Sequence, residues 1–281
     1  ARSSAVSEYT QVPTSLPPKF GEPRSFDEAA EELQNLINWA KEAEHRIGYF
    51  AAVYKRTTLA LKQAADDGVF EDADSMGKLA ELFATRYLTA VNAFFRPDEA
   101  TLSKSWLAAF EQLDKDEPVI VQHIQAGINA HVLYDLAMAV NVLTSSTDVN
   151  RVRNDFLAVN AVLASQTHDM LARVEEISPG LKDFLDAVPG DEARLIGPAI
   201  TWMREGAWMF VKALELYPGT RNLLPSEVQD NMVSITTTTL FSGLLQEAFD
   251  AIAEHESRDV RRNIEVLDRV ADQVASIKTT M

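Results

Sequence analysis

Residues 118–144 read PVIVQHIQAGINAHVLYDLAMAVNVLT. By length alone this stretch could cross a membrane. Its Gln122, His123, Gln125, Asn129, His131, Asp135 and Asn141 are too many polar groups for a lipid-exposed span. It is also apolar almost all round, the pattern of a helix buried among other helices. Pro118 stands at a first-turn position, where a missing N–H costs nothing. The expected fold is therefore all-α: a single-domain, multi-helix bundle around a buried central helix, 118–144.

The flanking sequence agrees with that reading. Ser25 followed by Glu28 forms a capping box that opens a helical pattern over 26–66. A break is expected near Gly48 and a stop at Asp66-Asp67-Gly68. Further helices are expected at 73–96, 99–114, 148–177, 180–187, 192–217, 226–256 and 258–279, punctuated by Pro and Gly. Val233–Leu240, with its run of threonines, is the best strand candidate, but the helical period of its neighbours assigns it to helix. Short connections make successive helices antiparallel neighbours. Residues 1–24 hold Pro13, Pro17, Pro18 and Pro23 among several Ser and Thr, and read as an extended or disordered arm preceding a helical domain over 25–281. The opening ARSSAVSEYT lacks the basic and apolar regions of a signal peptide, and a processed start or a simple boundary both fit.

Composition narrows the chemistry. The 281 residues are 46% hydrophobic and 24% charged, which is globular and soluble in character and favours a cytoplasmic setting. With no Cys, disulfides, thiol catalysis and Cys-ligated zinc or iron–sulfur sites are excluded. Asp+Glu 42 against Lys+Arg 26 gives a net charge of −16, whose field repels phosphates and argues against nucleic acid or an anionic membrane as partner. Glycine-rich nucleotide loops, G-x-S-x-G, H-E-x-x-H and EF-hand patterns do not occur. Only one E-x-x-H pair exists, Glu42 with His45, where a di-iron bundle needs two. No cofactor can be named.

The most informative feature is His131 with Asp135. At 100° per residue the two lie about 40° apart on a stripe shared with Ile124, Gly127, Ile128, Met138 and Val142. Gly127, one turn before His131, leaves room for a side chain or a ligand. A buried Asp must be paired or protonated. The pair can serve as two metal ligands, as a general base with an orienting carboxylate, or as a structural hydrogen bond. Tyr134 lies near the same stripe.

Two other helices carry polar residues in apolar company. Asp155 shares a face with Val159, Val162, Gln166 and Asp169, of which Asp169, like His168, reads as a surface residue, and Asn160 sits among Phe156 and Leu163. Asp155 also reads as a first-turn acid favoured by the helix dipole, and Asn160 as an amide joining two helices. Arg204 shares its stripe with Ile200, Ala207, Trp208 and Val211. A buried Arg needs a carboxylate, so Arg204 is expected to pair with Asp135 or Asp155 near His131. The alternative is an Arg that reaches the surface over Trp208. Trp39, Tyr49, Phe50, Tyr54, Thr57 and Thr58, then Phe83, Tyr87, Phe94 and Phe95, form an aromatic stripe of the kind that is usually core, although its Tyr residues can also line a ligand pocket.

Three segments together resemble the family catalogued as domain of unknown function 5995. They are Gly127-Ile128-Asn129-Ala130-His131-Val132-Leu133-Tyr134-Asp135-Leu136; Asp155-Phe156 with Val159-Asn160 and Leu163; and Arg204 with Ala207-Trp208. Leu133 stands where that family commonly has Asn, and Met203 where it has Ala. The resemblance covers about residues 25–217 and implies a helical fold without a proven activity. A fainter similarity links the His131–Asp135 spacing to the zinc-dependent phospholipase C and P1-nuclease group, although the chain lacks their N-terminal Trp and most of their His.

Three functions follow as expectations. The first is an enzyme acting on a small, mostly apolar molecule. In it His131 is the general acid/base, Asp135 orients it, Arg204 binds an anionic or carbonyl group, and Tyr54, Tyr134, Asp155, Asn160 and Trp208 surround the substrate. The second is a metal-dependent hydrolase with His131 and Asp135 as ligands. The third is a non-enzymatic binding or scaffold protein.

Overall fold

Ser25 Oγ accepts the Glu28 N–H at 3.1 Å, and α1 (Phe26–Glu42) begins there. The other half of the capping box goes elsewhere, because Glu28 accepts the Arg24 N–H at 2.9 Å. A computed structural model describes residues 15–146, 149–187, 192–216, 223–243 and 246–269. The break after α1 falls at 43–46, where Glu44 takes a left-handed φ of 50°. Gly48 is instead inside α2 (Ile47–Asp66), where a Cβ would lie 2.6 Å from Ile264 Cδ1.

Next come α3 (Ala73–Phe95) and a short α4 (Lys104–Phe110), which is only the middle of the helix expected over 99–114. The central helix follows as α5 (Ile120–Ile128), a π-helical segment (Asn129–Asp135) and α6 (Leu136–Leu143), without interruption. Its start is secured by Gln122 Oε1, which accepts the Val119 N–H at 2.9 Å, and by Glu256 Oε1, which accepts the Ile120 N–H at 2.9 Å. After a 3₁₀ turn at Val149–Val152 come α7 (Arg153–Ile177), α8 (Pro179–Ala187), α9 (Glu192–Leu216) and α10 (Leu223–Leu240). The threonine run is thus helical. The helix expected over 226–256 is divided, with α11 (Gln246–Ala253) after the break, and α12 (Val260–Asp268) ends the described chain. The rest of the expected 258–279 helix lies outside the described residues. Among the described residues there is no strand, and the fold is an all-α multi-helix bundle.

Residues 1–14 lie outside the described residues. The remainder of the N-terminal arm runs extended over the bundle. Asn92 holds the Phe20 backbone on both sides, at 3.0 and 2.8 Å, and Arg96 Nη2 donates to the Pro17 carbonyl at 2.5 Å.

The core forms two packed groups. One gathers Leu33, Leu36, Tyr54, Tyr87, Trp106 and Ile124; the other gathers Phe70, Leu136, Val159, Phe156 and Leu214. The central helix contributes to both. It is long and apolar enough to span a membrane by length and composition, but its His123, Asn129, His131 and Asp135 are buried in this bundle.

Candidate active site

Gly127 on α5 leaves its space to Phe50, since a Cβ there would lie 2.4 Å from Phe50 Cγ. The room foreseen one turn before His131 is filled by this side chain. Phe50, Tyr54, Phe83, Tyr87 and Trp106 then enclose the imidazole of His131, which is 2% exposed. Phe83 stacks on it with ring centres 3.5 Å apart, and Tyr54 meets it edge-on at 4.3 Å.

Asp135 is 1% exposed and fully engaged. Arg86 Nε donates to its Oδ1 at 2.8 Å, and Trp106 Nε1 donates to its Oδ2 at 2.8 Å. His131 Nδ1 lies 3.3 Å from the same Oδ2. A carboxylate only accepts, so Nδ1 carries the proton and Nε2 keeps its lone pair. Nε2 is buried without a hydrogen-bond partner. Burial pushes the His131 pKa below its ordinary value against the opposing pull of Asp135, so the imidazole is a neutral base at pH 7.

His131 forms part of the wall of a cavity of about 230 Å³. The cavity is partly open to solvent rather than sealed in the core. Its lining is mostly apolar, drawn mainly from α2, α3, the central helix and α7, and its polar members include Tyr54, Arg56, Gln166 and Arg204. Burial raises the Tyr54 phenol well above its ordinary pKa, with the Asp135 charge adding to the effect, so it stays protonated.

Arg204 is 4% exposed and also lines the cavity. Its Nε donates to Asn160 Oδ1 at 2.5 Å, its Nη2 donates to the Phe156 carbonyl, and its guanidinium lies 4.1 Å over the Phe156 ring. The expected carboxylate pair does not form. Asp135 is taken by Arg86, and Asp155 by two backbone donors, the N–H groups of Glu71 at 2.7 Å and Asp72 at 2.8 Å. Burial without a facing carboxylate pulls the Arg204 pKa down to about 9, with Glu205 opposing and Arg153 adding to the fall.

The sequence-expected residues thus separate. His131, Tyr54 and Arg204 share the cavity wall; Asp135 stands behind His131 and Asn160 behind Arg204. Asp155 does not line the cavity and instead ties the start of α7 to the loop before α3. Tyr134 stacks on Phe210 beneath the Arg86 guanidinium, and Trp208 packs on Phe156 under Arg153. Neither lines the cavity.

Arg86 and Trp106 were not foreseen. Arg86 had a signal: it is the only cation between Lys78 and Arg96, in a stretch of helix that is mostly apolar. Trp106 had none beyond being an aromatic on a short helix. A metal ion would need a third ligand beside His131 and Asp135. Among the described residues no group of three His, Cys, Asp or Glu converges anywhere, and both Asp135 oxygens already accept hydrogen bonds. The donor set therefore does not reproduce that of the zinc-dependent phospholipase C group.

No curated protein and no solved structure matches the chain. The match that exists is to a family model covering residues 26–243, which contain every cavity residue named above. With most of its length matched, the chain belongs to the Family of unknown function (DUF5995).

Proposed function

We propose that the protein is an enzyme that acts on a small, mostly apolar molecule by general acid–base chemistry at His131. One observation carries this reading: a buried imidazole in a cavity wall has one nitrogen fixed on a carboxylate and the other unpartnered. His123 is also buried with unpartnered nitrogens, but it does not line this cavity and has no carboxylate on its ring; among the described residues, only at His131 do the free nitrogen, the fixed nitrogen and the cavity wall coincide. Asp135 fixes the tautomer, and Arg86 and Trp106 fix Asp135, so the base is held in one orientation before substrate arrives. Arg204 faces the same cavity with a positive charge that no described carboxylate neutralises. It is suited to stabilising negative charge that develops on a carbonyl oxygen.

The test compares wild type with His131→Gln on a panel of small apolar esters, ketones and epoxides, with products read by mass spectrometry. Turnover by the wild type should fall at least 100-fold in the variant, within the span usual for a general base, while circular dichroism stays the same. Equal turnover in both proteins, or ligand uptake with no turnover in either, refutes the reading and leaves a binding protein.

A further inference from the structure

We propose that the cavity binds a single-chain carboxylate amphiphile, its head held by Arg56, with Arg173 behind it, and its alkyl chain lying along the slot past His131. This rests on the reading of the cavity as a ligand site and adds the class of ligand.

The first support is a charge cluster that the catalytic reading does not use. Arg56 on α2 contacts Asp169 on α7 through Nη2, and Arg173, one turn further along α7, reaches the same carboxylate at 3.6 Å. Two guanidinium groups therefore share one carboxylate, and one positive charge is left over. Glu176, the next acid but one along α7, is engaged by Arg269 at 2.9 Å and by Arg262 at 4.0 Å, and does not cancel it. Nε and Nη1 of Arg56 and Nε of Arg173 are buried with no hydrogen-bond partner. Unsatisfied charged donors of this kind are expensive unless something accepts from them. Arg56 lines the cavity and Arg173 does not, so Arg173 bears on the site through the Asp169 carboxylate that it shares with Arg56.

The second support is shape. Along α7 the lining residues Val159, Leu163, Gln166 and Met170 follow a single stripe. At 1.5 Å per residue that stripe runs about 16 Å. Residues from Phe50 to Leu61 line it on α2 over a comparable length. About 230 Å³ drawn out over such a length suits an extended chain better than a compact ring system. A cavity of about 150 Å³ accommodates benzene, so this one holds roughly nine carbons.

The third support is charge matching. At the Arg56 end of the slot one surplus positive charge neutralises a carboxylate monoanion but not a phosphate dianion, and a carboxylate fits the planar guanidinium fork; Arg204 is tied to Asn160 and Phe156, about 14 Å back along α7 from Asp169. Without the arginines an alcohol would enter the apolar slot more readily than a carboxylate of the same length, because the ion is costlier to desolvate.

The experiment is calorimetric titration of the full chain with decanoate and with 1-decanol at pH 8. Wild type should bind decanoate at least tenfold tighter than 1-decanol. Arg56→Gln should weaken decanoate at least tenfold and leave 1-decanol within twofold. The inference is overturned if the wild type binds 1-decanol as tightly as decanoate or binds neither, and this comparison needs no variant to fold. It is also overturned if Arg56→Gln leaves the preference intact. Decanoate binding by a protein that turns over nothing would sink the catalytic proposal and keep this one. Turnover of neutral substrates without a decanoate preference would do the reverse.

Discussion

Replacing His123 with Leu should make the fold markedly less sensitive to acid. The His123 ring is 4% exposed on α5, lies between Tyr49 and Phe241 at 6.1 and 6.2 Å, and has no partner for either nitrogen. Burial, assisted by the charges of Arg46 and His45, pushes its pKa from 6.5 down to about 3. At pH 7 and above the ring is neutral both folded and unfolded, and titration contributes nothing. As the pH falls below 6.5 the unfolded chain takes up a proton that the fold refuses, and stability drops until the folded pKa is reached. Between pH 7 and pH 5 this single site costs about 2 kcal/mol, at 1.36 kcal/mol per pH unit of differential protonation. Leu has nearly the same volume and cannot titrate. Urea denaturation of both proteins at pH 7 and pH 5, followed by circular dichroism, gives a double difference. In it the other acid-sensitive groups cancel, including His45, His131 and the oppositely signed Glu256. With a slope near 3 kcal/mol/M, the wild-type midpoint should move about 0.7 M further than the variant's. The variant should also be about 1–3 kcal/mol more stable at pH 7, because two unpaired buried nitrogens are gone. Equal losses on acidification in the two proteins would refute the reasoning, for the ring would then be protonated inside the fold.

Two further changes separate site from scaffold. Gly127→Ala puts a Cβ 2.4 Å from Phe50 Cγ and forces that ring, a wall of the cavity, to move. A thermal melt should show a loss of about 1–3 kcal/mol, and decanoate titration a weaker affinity; an unchanged melt and affinity would mean that α2 and α5 accommodate the methyl by sliding. Asp155→Ala strands the Glu71 and Asp72 N–H groups. Urea denaturation should show a loss of about 3 kcal/mol with decanoate affinity unchanged, and a large affinity change with little lost stability would return Asp155 to the binding site.

The bundle was legible because its signals are local. A capping serine, a proline at a first-turn position and an apolar stretch too polar for lipid each act within a few residues, and Ser25, Pro118 and 118–144 were read from them. Boundaries set by tertiary contacts were less legible: nothing local ends α1 at Glu42, and α4 is shorter than its pattern. At the site, a buried Asp on an apolar stripe signals that a cation must exist, not where it is. The sequence offered Arg204, which is buried as expected but bonds to Asn160 and the Phe156 carbonyl, while Arg86 on α3 reaches Asp135 instead. Asp155 was marked by its apolar neighbours, which report burial and not the use of a residue. Two backbone N–H groups satisfy a carboxylate as well as a guanidinium does, and backbone donors leave no trace in a residue pattern.

Tyr134 went astray for a different reason, and that reason bears on the chemistry. Its expected position assumed 100° per residue through the central helix. The Leu136 N–H bonds instead to the His131 carbonyl, five residues back, so the winding is wider and every face beyond Asn129 is rotated from its α-helical place. Such a segment exchanges the four-back bonds of an α-helix for five-back ones, and it is rare enough to need surroundings that support it. Here they do: Gln229 Nε2 on α10 donates to the Leu133 carbonyl at 2.9 Å, while Arg86 and Trp106 clamp Asp135 from α3 and α4. These three contacts come from three separate helices and converge on the one turn that carries His131. A helix needed only for packing gains nothing from that distortion. A helix that must present an imidazole to a cavity and a carboxylate to the imidazole gains a fixed phase between the two, which is the arrangement general acid–base chemistry requires.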